Sequence, residues 1–381
     1  MINIIDKKKC SGCSACYNIC PRQCIAMDED SNGFLYPSVD FSRCIDCHLC
    51  EKVCPFFYSS NERFPLLTYA AKNSNEKVRI NSSSGGIFSS LAKRIILDGG
   101  IVYGARFDKD WNVVHASAET LEELVLFRGS KYLQSDIGKI YIDVRENLNN
   151  GRMVLFSGTS CQIAGLKKYL RRDYLNLISV EILCHGVPSP LVWKKYLKGV
   201  SASKQVVSVN FRNKDRGWTN YGYNIKIVFD DDSKYLEPSC GTYMTGLTSS
   251  LTTRPSCSVC PFKKGKSGAD ILLGDCWGVW DFCSHFDDNK GVSLVLLYTQ
   301  KGVELFTRID ADYCGINYND ALKFNPAIEK SSSANLDSDS FFRRVKKTSK
   351  VKLLMFSYLP VKSKKDVLIH YLCKLLWLFK W

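Results

Sequence analysis

Among the 381 residues are eighteen cysteines, the residues here most able to do chemistry, and eight of them fall into two copies of one pattern. Cys10-Ser-Gly-Cys13-Ser-Ala-Cys16-Tyr-Asn-Ile-Cys20-Pro21 has the spacing CxxCxxCxxxCP, and Cys44-Ile-Asp-Cys47-His-Leu-Cys50-Glu-Lys-Val-Cys54-Pro55 repeats it. Three closely spaced thiolates wrap a tight loop over one face of an iron-sulfide cube. The fourth opens a short helix, cannot reach the same irons, and crosses to the other cluster. The spacing therefore assigns Cys10, Cys13, Cys16 and Cys54 to one 4Fe-4S centre, and Cys44, Cys47, Cys50 and Cys20 to a second. Zinc knuckles come as two separated pairs of cysteines, not as four thiols closed by proline and then repeated. His48, between two ligands, reads as a solvated loop residue, and Cys24 as a small apolar core side chain.

Two such clusters conduct single electrons and need a two-electron partner to act on an organic substrate, so the rest of the chain should supply one. Cysteine density falls after Cys54-Pro55, and the polar run 58–65 reads as a linker. Residues 1–60 are thus a bacterial-type two-cluster ferredoxin-like domain of α+β type. Beyond it, strand-like and helical runs alternate: 66–71, 86–97, 101–107, 152–157, 160–170, 175–183 and 292–298. That alternation predicts an α/β body, with 221–229 and the acidic turn after it as a hairpin arm of the same body. After Lys330 a polar connector leads into a basic helical tail ending in an apolar stretch over 367–381. This stretch is interrupted by His370, Lys374 and Lys380 and is shorter than the ~20 residues of a spanning helix. Its apolar residues share one helical face, which suits either docking on the body or lying on a membrane surface.

Within the body, Ser82-Ser83-Ser84-Gly85-Gly86 precedes an amphipathic helical run, and backbone N–H groups at a helix start suit a phosphate. Serine caps and glycine turns read the same way without a ligand. Lys131 and Tyr132, in Arg128-Gly-Ser-Lys-Tyr132, suit an anion or an ordinary surface loop. Cys161 follows a strand at the start of a helix, where the dipole favours the thiolate. Two readings stand for it: a nucleophile with His185 as base, although no third orienting group is recognisable, or a metal ligand together with Cys184, Cys257 and Cys260, all beside Gly or Pro turns. Asp275 and Trp277 suit either a cofactor face or a strand end. Cys240, Cys276, Cys283, Cys314 and Cys373 have no partner spacing and default to core or surface positions. No GxGxxG follows a strand, so a Rossmann nicotinamide site lacks its mark.

Taken in order, the segments SSSGG (82–86), RGSKYLQ (128–134), GTSCQIAG (158–165), CHGVP (184–188), RPSCSVC (254–260) and GDCWG (274–278) resemble the β-subunit family of coenzyme F420 hydrogenases and dehydrogenases. That family includes 7-hydroxymethyl chlorophyll a reductases, and the resemblance covers about residues 1–320. It implies an α/β flavin-binding body with FAD and a third 4Fe-4S cluster. The implied ligands are Cys161, Cys184, Cys257 and Cys260; the implied FAD contacts are Ser82, Ser83, Ser84, Gly85, Gly86, Lys131, Tyr132, Gly158 and Thr159. Two departures are visible. Ser160 stands where the family usually has proline, and Cys276 where an aromatic residue is usual. On this division residues 61–145 form the N-terminal part with the FAD phosphate loop, 146–330 the part with the third cluster, and 331–381 the linker and tail.

The formal net charge of +14 ordinarily points to nucleic acid or an anionic membrane. Three clusters, each about −2 with its thiolates, would reduce it to about +8. That remaining excess suits flavin phosphates or an acidic redox partner equally well. No aromatic residues interleave with a basic stripe, which speaks against a nucleic-acid platform. No signal peptide opens the chain, so a reducing cytoplasm is expected, with peripheral contact at the inner membrane face through the tail. The expected activity is that of an FAD and iron-sulfur oxidoreductase, taking electrons from or giving them to a ferredoxin-like or other redox protein and a small-molecule acceptor or donor. The other readings are a non-catalytic electron-transfer subunit and a membrane-surface redox component of envelope polysaccharide synthesis.

Overall fold

The structure, a computed structural model, describes residues 1–57, 60–219 and 222–359. Each cysteine motif forms a loop running into a short helix, Ala15–Ile19 in the first and Leu49–Lys52 in the second. Between them lies an antiparallel hairpin of β1 (Ile25–Glu29) and β2 (Leu35–Val39). The two loops share one backbone path: Gly12 and Asp46 have φ of 67° and 50°, and Ser14 and His48 have 63° and 57°. Left-handed residues set among ordinary ones turn successive N–H groups inward, which makes each loop a nest for anionic sulfur.

In chain order the body contains β3 (Leu67–Asn73), β4 (Ile101–Phe107), β5 (Val113–Ala118), β6 (Val154–Thr159), β7 (Leu177–Ile182), β8 (Val206–Asn213), β9 (Asn224–Phe229), β10 (Lys234–Pro238), β11 (Ile271–Asp275), β12 (Ser293–Leu297) and β13 (Ala311–Gly315). Eight of these make a mixed sheet of order β13-β3-β12-β11-β7-β6-β4-β5, in which the central β11, β7, β6 and β4 run parallel. Alternate residues serve the two faces. Val102, Leu155, Ile178 and Val295 pack under helix Ile87–Leu97, while Tyr103, Phe156 and Leu177 pack with Ile163 and Leu166 of helix Ser160–Leu170. Both faces are covered, which explains the near-continuous apolar runs of β6 and β12.

Two stretches differ from the expectation. Residues 224–229 do turn at 230–233 into a partner strand, but they are the middle strand of a separate sheet, β10-β9-β8. The connector after Lys330 already packs as helix Ser338–Val345, ahead of helix Val351–Tyr358 in the stretch expected as a helical tail. They bury Phe341, Phe342, Val345, Leu354 and Met355 against Trp193, Tyr196 and Tyr243. The polar composition of 331–340 concealed this apolar face. The amphipathic stretch 367–381 lies outside the described residues, among which no helix is long and apolar enough to cross a membrane.

Candidate iron-sulfur centres and cofactor site

The two N-terminal motifs surround two separate cavities. One is lined by Cys10, Cys13, Cys16 and Cys54 with Ile2, Ile4 and Met27. The other is lined by Cys20, Cys44, Cys47 and Cys50 with Pro21 and Val39. This is the crossed partition expected from the spacing. Backbone amides point at the sulfurs: Gly12 N–H donates to Cys10 Sγ at 3.4 Å and Ile2 N–H to Cys50 Sγ at 3.3 Å. Burial works against the Cys20 thiolate, yet the amides of Cys24, Arg22 and Gln23 bring that thiol below its ordinary value. Burial pushes Cys16 and Cys54 up, so thiolates there call for a cation to offset their desolvation. Four thiols, convergent amides and apolar walls fit a 4Fe-4S core at each cavity. Cys24 is buried as expected, but it lines the second cavity with its sulfur 3.4 Å from that of Cys20. His48 stays at the surface, bonded to Glu51 at 2.6 Å.

The second cavity lies toward solvent, with Cys47 exposed and Ile45, 59% exposed, in its wall. The first faces the body. Helix Ser160–Leu170 packs so closely on it that a Cβ at Gly165 would stand 2.9 Å from Cys13 Cβ and 3.0 Å from its sulfur. Arg254, fully buried, clamps the same loop: it donates to Cys10 O at 2.8 Å, Leu35 O at 2.9 Å and Gln134 Oε1 at 2.9 Å, and stacks 4.1 Å from the Tyr36 ring centre. Gln134 Nε2 in turn donates to Ser11 O at 2.9 Å.

Cys161 and Cys184 follow the carboxyl ends of adjacent parallel strands β6 and β7, and the turn Pro255–Val259 brings Cys257 and Cys260 over them. The four thiols are close enough to feel one another's charge. Burial first, and then that repulsion, push Cys260 up to about 12 and raise Cys161 and Cys257. For Cys161 burial thus outweighs the helix start that was expected to lower it. Donors surround the set: Gly186 N–H to Cys184 Sγ at 3.3 Å, the Val187 amide on Cys257 and the Phe262 amide on Cys260, with the Thr159 hydroxyl 3.3 Å from Cys161 Sγ. These donors and thiols fit a third cluster. Among the described residues no hydrogen bond joins His185 to Cys161. His185 instead faces Lys263, Asp275 and Arg212, and its burial holds it below the usual imidazole range.

The carboxyl edge of the parallel strands is where open α/β sheets bind ligands, and it collects further groups here. Asp275 ends β11 beside this edge. Arg212, 3% exposed, donates to Asp275 Oδ2 at 2.8 Å and to the Tyr132 hydroxyl at 3.1 Å. Its Nε and Nη2 find no partner among the described residues. The rings of Tyr223 and Trp277 lie 3.9 and 5.4 Å from its guanidinium carbon, and Trp218 stacks on Trp277 at 4.8 Å. Lys214, also buried, donates to Arg79 O, Ser84 O and Lys290 O, and burial brings it down to about 7. Buried guanidinium N–H groups without partners beside stacked indoles fit an aromatic, anionic group such as FAD.

The other expected FAD contacts reach the same edge with their polar groups already engaged. Ser82 Oγ donates to Val78 O and Ser84 Oγ to Val292 O, while Ser83 Oγ accepts from Ser130 N–H. Gly85 is required by packing, because a Cβ there would lie 2.3 Å from Ala71 O. Gly86, at φ 83°, opens helix Ile87–Leu97. Thr159 and Gln162 close a capping box on helix Ser160–Leu170, directly after Gly158. Lys131 donates to Leu126 O and Arg128 O, and burial pulls it to about 7. Sequence reasoning missed Arg212, Lys214, Trp218 and the clamping role of Arg254. The basic-aromatic run FRNKDRGW (211–218) was the signal available for the first three.

Comparison with known proteins places this arrangement. Residues 68–140 match the model of the coenzyme F420 hydrogenase/dehydrogenase beta subunit N-terminal domain, and residues 151–318 match that of its C terminus. The chain belongs to this family. Residues 9–57 match the 4Fe-4S dicluster domain, so the N-terminal lobe is an iron-sulfur domain. A coenzyme F420-dependent sulfite reductase of Methanocaldococcus jannaschii is 24% identical over 321 residues, or 81% of this chain and 47% of the relative. The chain therefore spans about half that relative's length. An uncharacterized ferredoxin of the same organism is 38% identical over 52 residues, 14% of this chain and 66% of the relative. A chain of the F420-reducing NiFe hydrogenase complex from Methanosarcina barkeri aligns with 17% identity and a TM-score of 0.48, covering 76% of this chain and 90% of that one. The matches make this an iron-sulfur protein whose body belongs to the hydrogenase/dehydrogenase beta subunit family.

Proposed function

We propose that the protein is an iron-sulfur flavoprotein that passes electrons between 4Fe-4S clusters and FAD, to or from a two-electron acceptor. One observation carries the reading. The thiols Cys161, Cys184, Cys257 and Cys260 stand between the first N-terminal cavity, through Cys13, and the Arg212–Asp275 pair, through His185 beside Cys184. FAD, when bound, supplies the coupling of one-electron to two-electron chemistry. Arg212 offers its two unpartnered N–H groups to an anionic part of it, with Asp275 holding the guanidinium in place. Tyr223, Trp277 and Trp218 make the aromatic wall, and Lys214 ties the Ser84 loop to it. Electrons are exchanged with a ferredoxin-like or other redox protein at the solvent-side cavity, where exposed Ile45 offers apolar contact.

The likeness to the sulfite reductase makes coenzyme F420 and sulfite the first acceptors to try. The test is an anaerobic screen of small acceptors against the isolated, flavin-loaded, reduced chain, following flavin absorbance. Reoxidation by one acceptor with catalytic turnover supports an enzyme. Clusters that accept electrons while no acceptor turns over sink the enzyme reading and favour a non-catalytic electron-transfer subunit.

A further inference from the structure

Away from the sites above, the loop after β11 and the edge strand β13 bring together three metal-ligating side chains that no function discussed so far uses. Cys283 closes the short helix Val279–Phe282, His285 lies in the single turn Ser284–Phe286, and Cys314 sits on β13 opposite Ala70. Their ligand atoms all lie within 4.8 Å of one another. The sulfurs of Cys283 and Cys314 are 3.2 Å apart, and Cys283 Sγ is 3.9 Å from His285 Nε2. A tetrahedral zinc ion with Zn–S near 2.3 Å and Zn–N near 2.0 Å sets sulfurs about 3.8 Å apart and sulfur and nitrogen about 3.5 Å apart. The observed sulfur–sulfur separation of 3.2 Å is about 0.6 Å shorter than the first value and the sulfur–nitrogen separation of 3.9 Å about 0.4 Å longer than the second, shifts that side-chain rotation can supply.

From this cluster we propose that Cys283, His285 and Cys314 bind one borderline-soft divalent cation of the zinc class, with the fourth position open to solvent. The donor set decides the class: two thiolates and an imidazole suit zinc, whereas calcium and magnesium take oxygen ligands. Burial is graded in the way such a site needs. Cys283 is 4% exposed, Cys314 is half-buried and His285 is at the surface, so the cation can enter from solvent through the imidazole side. Cys276, fully buried behind the cluster, feels the charge of both thiols and closes the inner side.

The ion would act as a tether. Strand β13 is the outermost strand of the sheet and is held on one side only, by β3. The segment 276–291 leaves β11 at Asp275 and returns at β12; it carries Trp277 and the Asp288 that pairs with Arg79. A cation joining Cys314 to Cys283 and His285 fixes this segment to the sheet edge. Sequence spacing gives no hint of it, because thirty residues separate the two cysteines and only the fold brings them together.

The test uses the full-length protein purified anaerobically with its iron complete, dialysed against micromolar zinc and then metal-free buffer. About one zinc per chain is expected, and zinc-edge X-ray absorption should show two sulfur neighbours near 2.3 Å and one nitrogen near 2.0–2.1 Å. Cys314→Ser, at a half-buried edge position, and His285→Ala, at the surface, should each lower retained zinc at least fivefold and leave iron content unchanged. Cys240→Ser, at an exposed thiol elsewhere, should leave both metals unchanged. Zinc below a tenth of an equivalent in the parent overturns the proposal, as does zinc content unmoved by both substitutions. A Cys283–Cys314 disulfide found by peptide mapping of the anaerobic protein also overturns it.

Discussion

Replacing Arg254 with methionine tests whether the ferredoxin lobe is wired to the body through this one side chain. The guanidinium is 1% exposed and holds Cys10 O, Leu35 O and Gln134 Oε1 at 2.8–2.9 Å, so a single group from the body binds the first cysteine loop, the hairpin and a body loop. Hydrogen bonds from a charged donor contribute about 1.5–3 kcal/mol each. Three bonds from one group are not additive, and methionine keeps much of the packing against Tyr36, so a loss of about 4 kcal/mol is expected. At about 1.4 kcal/mol per decade, that raises the population with the lobe undocked about a thousandfold. Hydrogen exchange by mass spectrometry on anaerobic protein reads it directly. Amides of helix Ala15–Ile19 should lose about three decades of protection while those of helix Ile87–Leu97 keep theirs. Arg254→Lys, which keeps the charge but not the fork, should fall between. The first cluster should also become harder to reduce, because a cation beside the Cys10 thiolate favours the more negative state. A loss of protection under tenfold in Arg254→Met, or an equal loss in both helices, would refute the argument.

Other substitutions separate the sites. Cys54→Ser should perturb the centre held by Cys10, Cys13 and Cys16, and Cys20→Ser the one held by Cys44, Cys47 and Cys50, each lowering iron by up to about four per chain; electron paramagnetic resonance assigns the lost signal. Arg212→Met should weaken FAD binding at least tenfold with iron unchanged, measured by flavin retention on desalting. Gly165→Val, whose Cβ would meet Cys13 at 2.9–3.0 Å, should destabilise the lobe contact by about 1–3 kcal/mol in anaerobic urea unfolding. His115, 6% exposed, is held by burial at about 4 rather than the ordinary 6.5. Between those values the unfolded chain takes up a proton that the folded chain refuses, so stability falls as pH drops through that window. His115→Gln should remove about 1 kcal/mol of the stability difference between pH 7.0 and 5.5.

The parts of the molecule that were legible in advance are those governed by local rules. The crossing of Cys20 and Cys54 follows from a spacing that lets three thiols close one loop and sends the fourth away. Strand Ile101–Phe107 and helix Ser160–Leu170 match the expected bounds because apolar periodicity, flanking glycines and a capping threonine all agree. The illegible parts depend on distant partners. Arg212 reads as one more solvated charge in a basic run until β8 brings it to Asp275, 63 positions away. Arg254 meets Cys10 across 244 positions. In the serine loop the hydroxyls are bonded to Val78, Val292 and Ser130, and Gly85 is dictated by the approach of Ala71, so local packing by itself accounts for residue types that also suit a phosphate. Helix Ser338–Val345 was hidden because its apolar face is spread between polar and basic residues.

Chemical analysis of the anaerobically purified chain for iron, sulfide and flavin bears most directly on the central claim, that three sets of four thiols lead to a flavin at the strand edge. The account predicts about twelve irons and one FAD per chain, falling to about eight irons in Cys161→Ser. Parent protein with about eight irons and no retained flavin would contradict it.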